Sequence, residues 1–166
     1  MKNIGITTTV PTEVLLAAGY QPIDLNNIFI SDSNPERLVV KAERVGFPIN
    51  CCTWIKGIYG TVMERDIHSV ICVTNGDCSN TQMLMEVLKL KGINAIPFAY
   101  PDSPNLLHTQ ACLESLAKTL GTTVDEAEKV KLKLDRARSL ARELDQLTWK
   151  SNTVSGFENH YWHVSA

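Results

Sequence analysis

The segment His68-Ser69-Val70-Ile71-Cys72-Val73-Thr74 constrains this chain more than any other, because it is an unbroken apolar run of strand length. A strand with one wet face alternates apolar and polar residues, whereas a run without alternation is expected where both faces are covered. Its neighbours supply the cover. Residues 53–65 read as a helix, although Gly57 and Gly60 weaken its propensity. Ser79 to Lys91 reads as a second helix ended by Gly92, and Ile93 to Tyr100 as the next strand. Helix, strand, helix and strand at this spacing predict a parallel sheet with right-handed crossovers.

The predicted class is therefore α/β: a parallel-sheet, flavodoxin- or Rossmann-like three-layer domain with a helical C-terminal extension. Upstream, Pro11 sits where a helix first turn tolerates it, and Glu13 to Ala18 continue that helix until Gly19. Pro22 to Leu25 reads as a short strand, and residues 35–45 as a helix entered through Ser31-Asp32-Ser33-Asn34 and ended by Gly46. Leu106 to Leu120 is a helix closed by Gly121. A long amphipathic helix starts near Thr123, with Ala127, Val130, Leu134, Ala137, Ala141 and Leu144 as its apolar stripe. The expected organisation is an α/β domain over residues 1–121, the long helix over 122–150 packing on it, and an aromatic tail over 151–166. That tail reads as strand-like, without a closing helix, and is expected to lead toward a further domain.

Composition narrows the function. With 44% hydrophobic and 20% charged residues the chain has an ordinary globular balance, which excludes a disordered or fibrous protein. A net charge of −2 supplies no general attraction to nucleic acid or anionic lipid. No apolar stretch approaches the roughly 20 residues a membrane span requires, and the start Met1-Lys2-Asn3-Ile4 lacks the pattern of an export signal. Five cysteines, an odd number, then read as reduced thiols or metal ligands in a cytoplasmic protein.

Cys78 is the leading site candidate. It follows the buried strand in Thr74-Asn75-Gly76-Asp77-Cys78 and opens the next helix. Ligands gather at the carboxyl ends of strands in open α/β sheets, and a helix start favours the thiolate that binds metal or attacks electrophiles. The alternative is a cysteine that only completes a turn. Cys51 and Cys52 sit side by side at a loop-to-helix junction, so one is expected to bind or react while the other packs, unless both pack. Cys72 and Cys112 read as core. No C-x-x-C, H-E-x-x-H, G-x-G-x-x-G, P-loop or G-x-S-x-G pattern is present. His160 and His163 would lie on opposite faces of the strand-like tail, and His68 and His108 lack identifiable partners. Thr7-Thr8-Thr9 reads as a turn whose hydroxyls and N–H groups could meet a substrate, with Thr8, Thr9 and Glu13 as the weaker candidates there.

Several segments resemble one family, the D-component subunits of 2-hydroxyacyl-CoA dehydratases, which include benzoyl-CoA reductase subunits. Val10-Pro11-Thr12-Glu13 through Ala17-Ala18-Gly19 to Pro22 is similar to the family's opening V-P-x-E…A-A-G-x-x-P. Cys52-Thr53-Trp54-Ile55-Lys56 resembles its first cysteine motif, C-x-x-hydrophobic-K/R. Cys78-Ser79-Asn80-Thr81-Gln82-Met83-Leu84 resembles the second, with Ser79 replacing the usual Asp. Ser155 to His160 is similar to the segment that leads toward the family's second domain.

The resemblance implies a 4Fe-4S cluster held by three cysteines. Cys52 and Cys78 would be two of them, Cys51 the reserve ligand, and the third would lie beyond Ala166. Three thiolates leave one iron open to a substrate oxygen. It further implies partners: a second domain or subunit, an acyl-CoA substrate, and an ATP-dependent iron–sulfur activator that supplies one electron. The electron would form a ketyl radical able to expel the 2-hydroxyl group, with the activity belonging to the assembly rather than to this chain. Two other readings stay open, an iron–sulfur reductase or electron-transfer component of the same superfamily and a metal-free interaction domain.

Overall fold

A computed structural model describes residues 1–165. The chain order is β1 (Lys2–Ile6), α1 (Thr12–Ala17), β2 (Tyr20–Asp24), α2 (Leu25–Ile30), α3 (Pro35–Arg44), α4 (Thr53–Glu64), β3 (Ser69–Asn75), α5 (Asn80–Leu90), β4 (Asn94–Ala99), α6 (Leu106–Leu120), α7 (Val124–Trp149) and α8 (Gly156–Ser165). The four strands form one parallel sheet in the order β2-β1-β3-β4. The expected α/β class is what the chain adopts.

The unbroken run of β3 is buried on both sides. Val70 and Cys72 face one core with Leu25, Ile58, Val62, Leu84 and Leu88, from α2, α4 and α5. Ile71 and Val73 face the other core, with Val14, Leu15, Leu116 and Ala127, from α1, α6 and α7. Helices thus cover both faces of the sheet. β4 forms its open edge on one side and carries the exposed Pro97.

Two elements go beyond the sequence-based expectations. β1 pairs along its whole length with β2. Asp24, read as mid-strand, instead ends β2 and caps α2: its carboxylate accepts the backbone N–H groups of Asn26 and Asn27 at 2.9 and 3.4 Å. The tail also differs from the expectation. Gly156–Ser165 is helical, not strand-like, started by a Ser155–Glu158 capping box in which Ser155 accepts from the Glu158 N–H and Glu158 accepts from the Ser155 N–H. On a helix His160 and His163 are three residues apart and share a side rather than lying on opposite faces.

The buried side of α7 runs through Arg138 rather than Ala137, which is exposed. Arg138 reaches across to an ion pair with Glu13 of α1. Only Ala127 of this helix is fully buried. Among the described residues no helix is long and apolar enough to cross a membrane.

Gly57 and Gly60, which lower the helix propensity of α4, are what allows it to dock. A Cβ on Gly60 would lie 2.2 Å from the carbonyl oxygen of Leu38, and one on Gly57 2.3 Å from the Phe29 ring. α4 therefore approaches α3 and α2 more closely than any side chain would permit. In an open helix interior Gly→Ala gains about 1 kcal/mol. Here the clash with rigid backbone dominates, so Gly60→Ala is expected to lower the unfolding free energy by about 1–3 kcal/mol, read as a lower urea midpoint.

Candidate functional site

β1 and β3 are neighbours whose outgoing connections run to opposite sides, one through α1 to β2 and the other through α5 to β4. The crevice at their carboxyl ends is therefore the switch point where open α/β sheets bind ligands. Thr7-Thr8-Thr9 and Asn75-Gly76-Asp77-Cys78 border it.

Thr7 is structural. Its N–H donates to the Ile71 carbonyl at 3.2 Å, and its buried Oγ1 accepts the Val73 N–H at 3.2 Å, joining the ends of β1 and β3. Thr8 is half-buried and Thr9 exposed, so both remain at the rim. The Thr9 carbonyl accepts the Tyr100 hydroxyl at 2.7 Å. Glu13, by contrast, is engaged by Arg138.

Asn26 joins the end of β1 to the start of α4. Its Nδ2 donates to the Thr7 carbonyl at 2.9 Å and to Asp24 Oδ1 at 3.0 Å, while its Oδ1 accepts the Trp54 indole N–H at 2.6 Å. Trp54 also packs edge-on against Phe29, with ring centroids 5.4 Å apart. Across the crevice, Asn75 Nδ2 donates to the Tyr100 carbonyl at 2.9 Å and to Asp102 Oδ1 at 2.6 Å. Gly76 turns there with φ +85°, and a Cβ would press on Tyr100 at 2.9 Å. Burial raises the Tyr100 phenol above its ordinary pKa.

The cysteines differ sharply. Cys52 is the N-cap of α4, half-buried, and its carbonyl accepts the Lys56 N–H at 3.1 Å. Cys51 is also half-buried and donates its N–H to the Pro48 carbonyl at 3.0 Å. Cys78 is exposed beside the start of α5; its Sγ accepts from Asn80 Nδ2 at 3.3 Å and its carbonyl from the Thr81 N–H at 3.0 Å. α4 and α5 pack against each other and both begin at the carboxyl side of the sheet. Cys52 and Cys78 thus stand at the starts of two adjacent helices. Cys72 lies within β3, and its burial pushes the thiol up to about 12. Cys112 is half-buried on α6. No three His, Cys, Asp or Glu residues among those described converge as a metal site.

The family model for the 2-hydroxyglutaryl-CoA dehydratase D-component matches residues 7–166. The chain belongs to this family. No curated protein matches it. As a D-component family member, it is a dehydratase-like part of a multi-component system with partner subunits.

Asn26, Trp54, Asn75 and Tyr100 complete the site but carried no sequence signal as a group, since their bonds join residues far apart in the chain. The hydrophobic spacing of Leu25 and Phe29 after Asp24 would have revealed α2, and with it Asn26. The burial differences predict an order of reaction. In the folded protein at pH 8, iodoacetamide is expected to label Cys78 first, Cys51 and Cys52 more slowly, and Cys72 only after denaturation, as read by peptide mass spectrometry.

Proposed function

We propose that this chain is the cluster-binding part of a 2-hydroxyacyl-CoA dehydratase, with Cys52 and Cys78 as thiolate ligands of a 4Fe-4S cluster and Cys51 as the reserve ligand. The observation that carries this reading is the pair of thiols at the starts of two adjacent helices, beside the switch point of a D-component fold. Soft thiolate donors suit iron–sulfur binding, so the residues present fit the group as a partial ligand set. The remaining ligand would come from elsewhere in the assembly. When bound, such a cluster supplies an iron open to a substrate oxygen and accepts single electrons.

The chain's own residues have separate tasks in this reading. The positive ends of the α4 and α5 dipoles would favour an anionic cluster held at their starts. The Asn26–Trp54 bond holds the start of α4 against β1. Thr8 and Thr9 offer hydroxyl and backbone groups on the substrate side of the crevice. The 2-hydroxyacyl-CoA and an ATP-dependent iron–sulfur activator are the partners this role requires.

Anaerobic reconstitution with iron and sulfide, in excess small-molecule thiol, tests the ligand assignment. Wild type is expected to retain iron and sulfide after desalting, the Cys52→Ser/Cys78→Ser double variant to retain neither, and Cys51→Ser to behave as wild type. Equal uptake by the double variant overturns the assignment, and loss in Cys51→Ser moves the ligand by one residue. A 2-hydroxyacyl-CoA that changes the cluster's EPR signal supports the dehydratase role. An unperturbed signal favours an electron-transfer component.

A further inference from the structure

Lys56 is only 2% exposed, and among the described residues it is the one charged residue buried as a whole, backbone and side chain together. An apolar side chain would fill this core position of α4 without the cost of dehydrating an ammonium. The ammonium instead makes two directed bonds, to Glu43 Oε1 at 2.6 Å and to the Ile49 carbonyl at 2.9 Å. Its backbone N–H bonds the Cys52 carbonyl at 3.1 Å. One residue therefore grips the segment before α4 at two points, three residues apart.

Apart from these bonds the segment is held by apolar contacts alone, with Cys51 and Cys52 half-buried against the main core. Phe47 anchors its upstream end by packing on Tyr59, with centroids 5.0 Å apart. Beyond it, Pro48 has no N–H to donate, the Ile49 side chain is 86% exposed, and Asn50 is exposed. The Cys51–Pro48 bond is internal to the segment and cannot fix it to the body of the protein. The bond from Lys56 to Ile49 is a tertiary contact, and Glu43 on α3 holds the ammonium in place for it.

We propose that Lys56 is a positioning residue whose buried ammonium fixes the Pro48–Cys52 segment and so holds the Cys51–Cys52 thiols in place at the start of α4. In its bearing on the cluster this rests on the ligand reading above, but the positional role itself does not. Lys56→Met keeps the length and apolar stem while removing both bonds. Glu43→Gln, at a partly exposed position, keeps Lys56 and weakens its hold.

Native-state alkylation resolved by tandem mass spectrometry reads the effect, with Cys72 reporting unfolding of the body and Cys78 the neighbouring helix start. In Lys56→Met the rates at Cys51 and Cys52 are expected to rise about tenfold or more, with Cys72 protected and Cys78 unchanged. Glu43→Gln should show a smaller rise with the same pattern, and it decides the matter if Lys56→Met does not fold. Unchanged rates at Cys51 and Cys52, or a parallel rise at Cys72, overturn the proposal. Iron retained after reconstitution is the second readout, expected to fall in Lys56→Met. If wild type takes up no iron while the alkylation pattern changes as described, the cluster reading fails and the positioning role stands.

Discussion

Helix α4 rests against the carbonyl of Leu38 and the ring of Phe29 through two positions that have no side chain, Gly57 and Gly60. The rest of the site depends on that contact. It sets the height of α4 above the sheet, brings Trp54 within reach of Asn26, and turns Lys56 toward Glu43 and the loop behind it. A helix held farther out would keep its own hydrogen bonds and lose all three of these. Helix propensity has been given up locally for close packing, and packing is what locates the cysteines.

The crevice joins elements that are distant in sequence but adjacent in space. β1 ends at Ile6, β3 at Asn75, and α4 and α5 begin beside them. Side-chain amides do most of the joining. Asn26 satisfies a carbonyl at the end of β1 while receiving the indole N–H of Trp54, and Asn75 performs the corresponding task toward Tyr100 and Asp102. These bonds, part-buried at Thr7 and exposed at Trp54, Tyr100 and Asp102, orient the elements they join. In a D-component fold assembled this way, the loop ahead of α4 is tied to the same frame through Lys56.

Much of the framework was legible because it rests on short-range patterns. β3 announces itself as an apolar run, and α6 is bounded by its periodicity and by Gly121 in the left-handed conformation. What was hidden depends on distance or on composition that suits two states. Leu25–Ile30 is a six-residue helix whose first residue reads as the end of the Pro22–Leu25 strand until its Asp24 cap is seen. The aromatic tail satisfies strand propensity yet forms a helix, where Ser155 and Glu158 supply a start signal. Lys56 appeared only as the last letter of a motif, because no one-dimensional pattern shows that a lysine faces inward. One position of the α7 stripe differs for the same reason: Arg138 replaces Ala137 on the inner face, where Glu13 of α1 pairs with it.

The open edge carries a consequence for how the protein behaves in company. Asn94 donates its backbone N–H inward, to His68 at 2.9 Å. Along a parallel strand these directions alternate, so the nitrogen of Pro97, three residues on, faces outward. That nitrogen has no hydrogen. A strand arriving from another molecule would find a carbonyl without a donor where its ladder should continue, beside a ring that crowds the approach. The sheet therefore ends at β4 chemically as well as topologically, and a cell crowded with unpaired strands has one fewer place to start an aggregate.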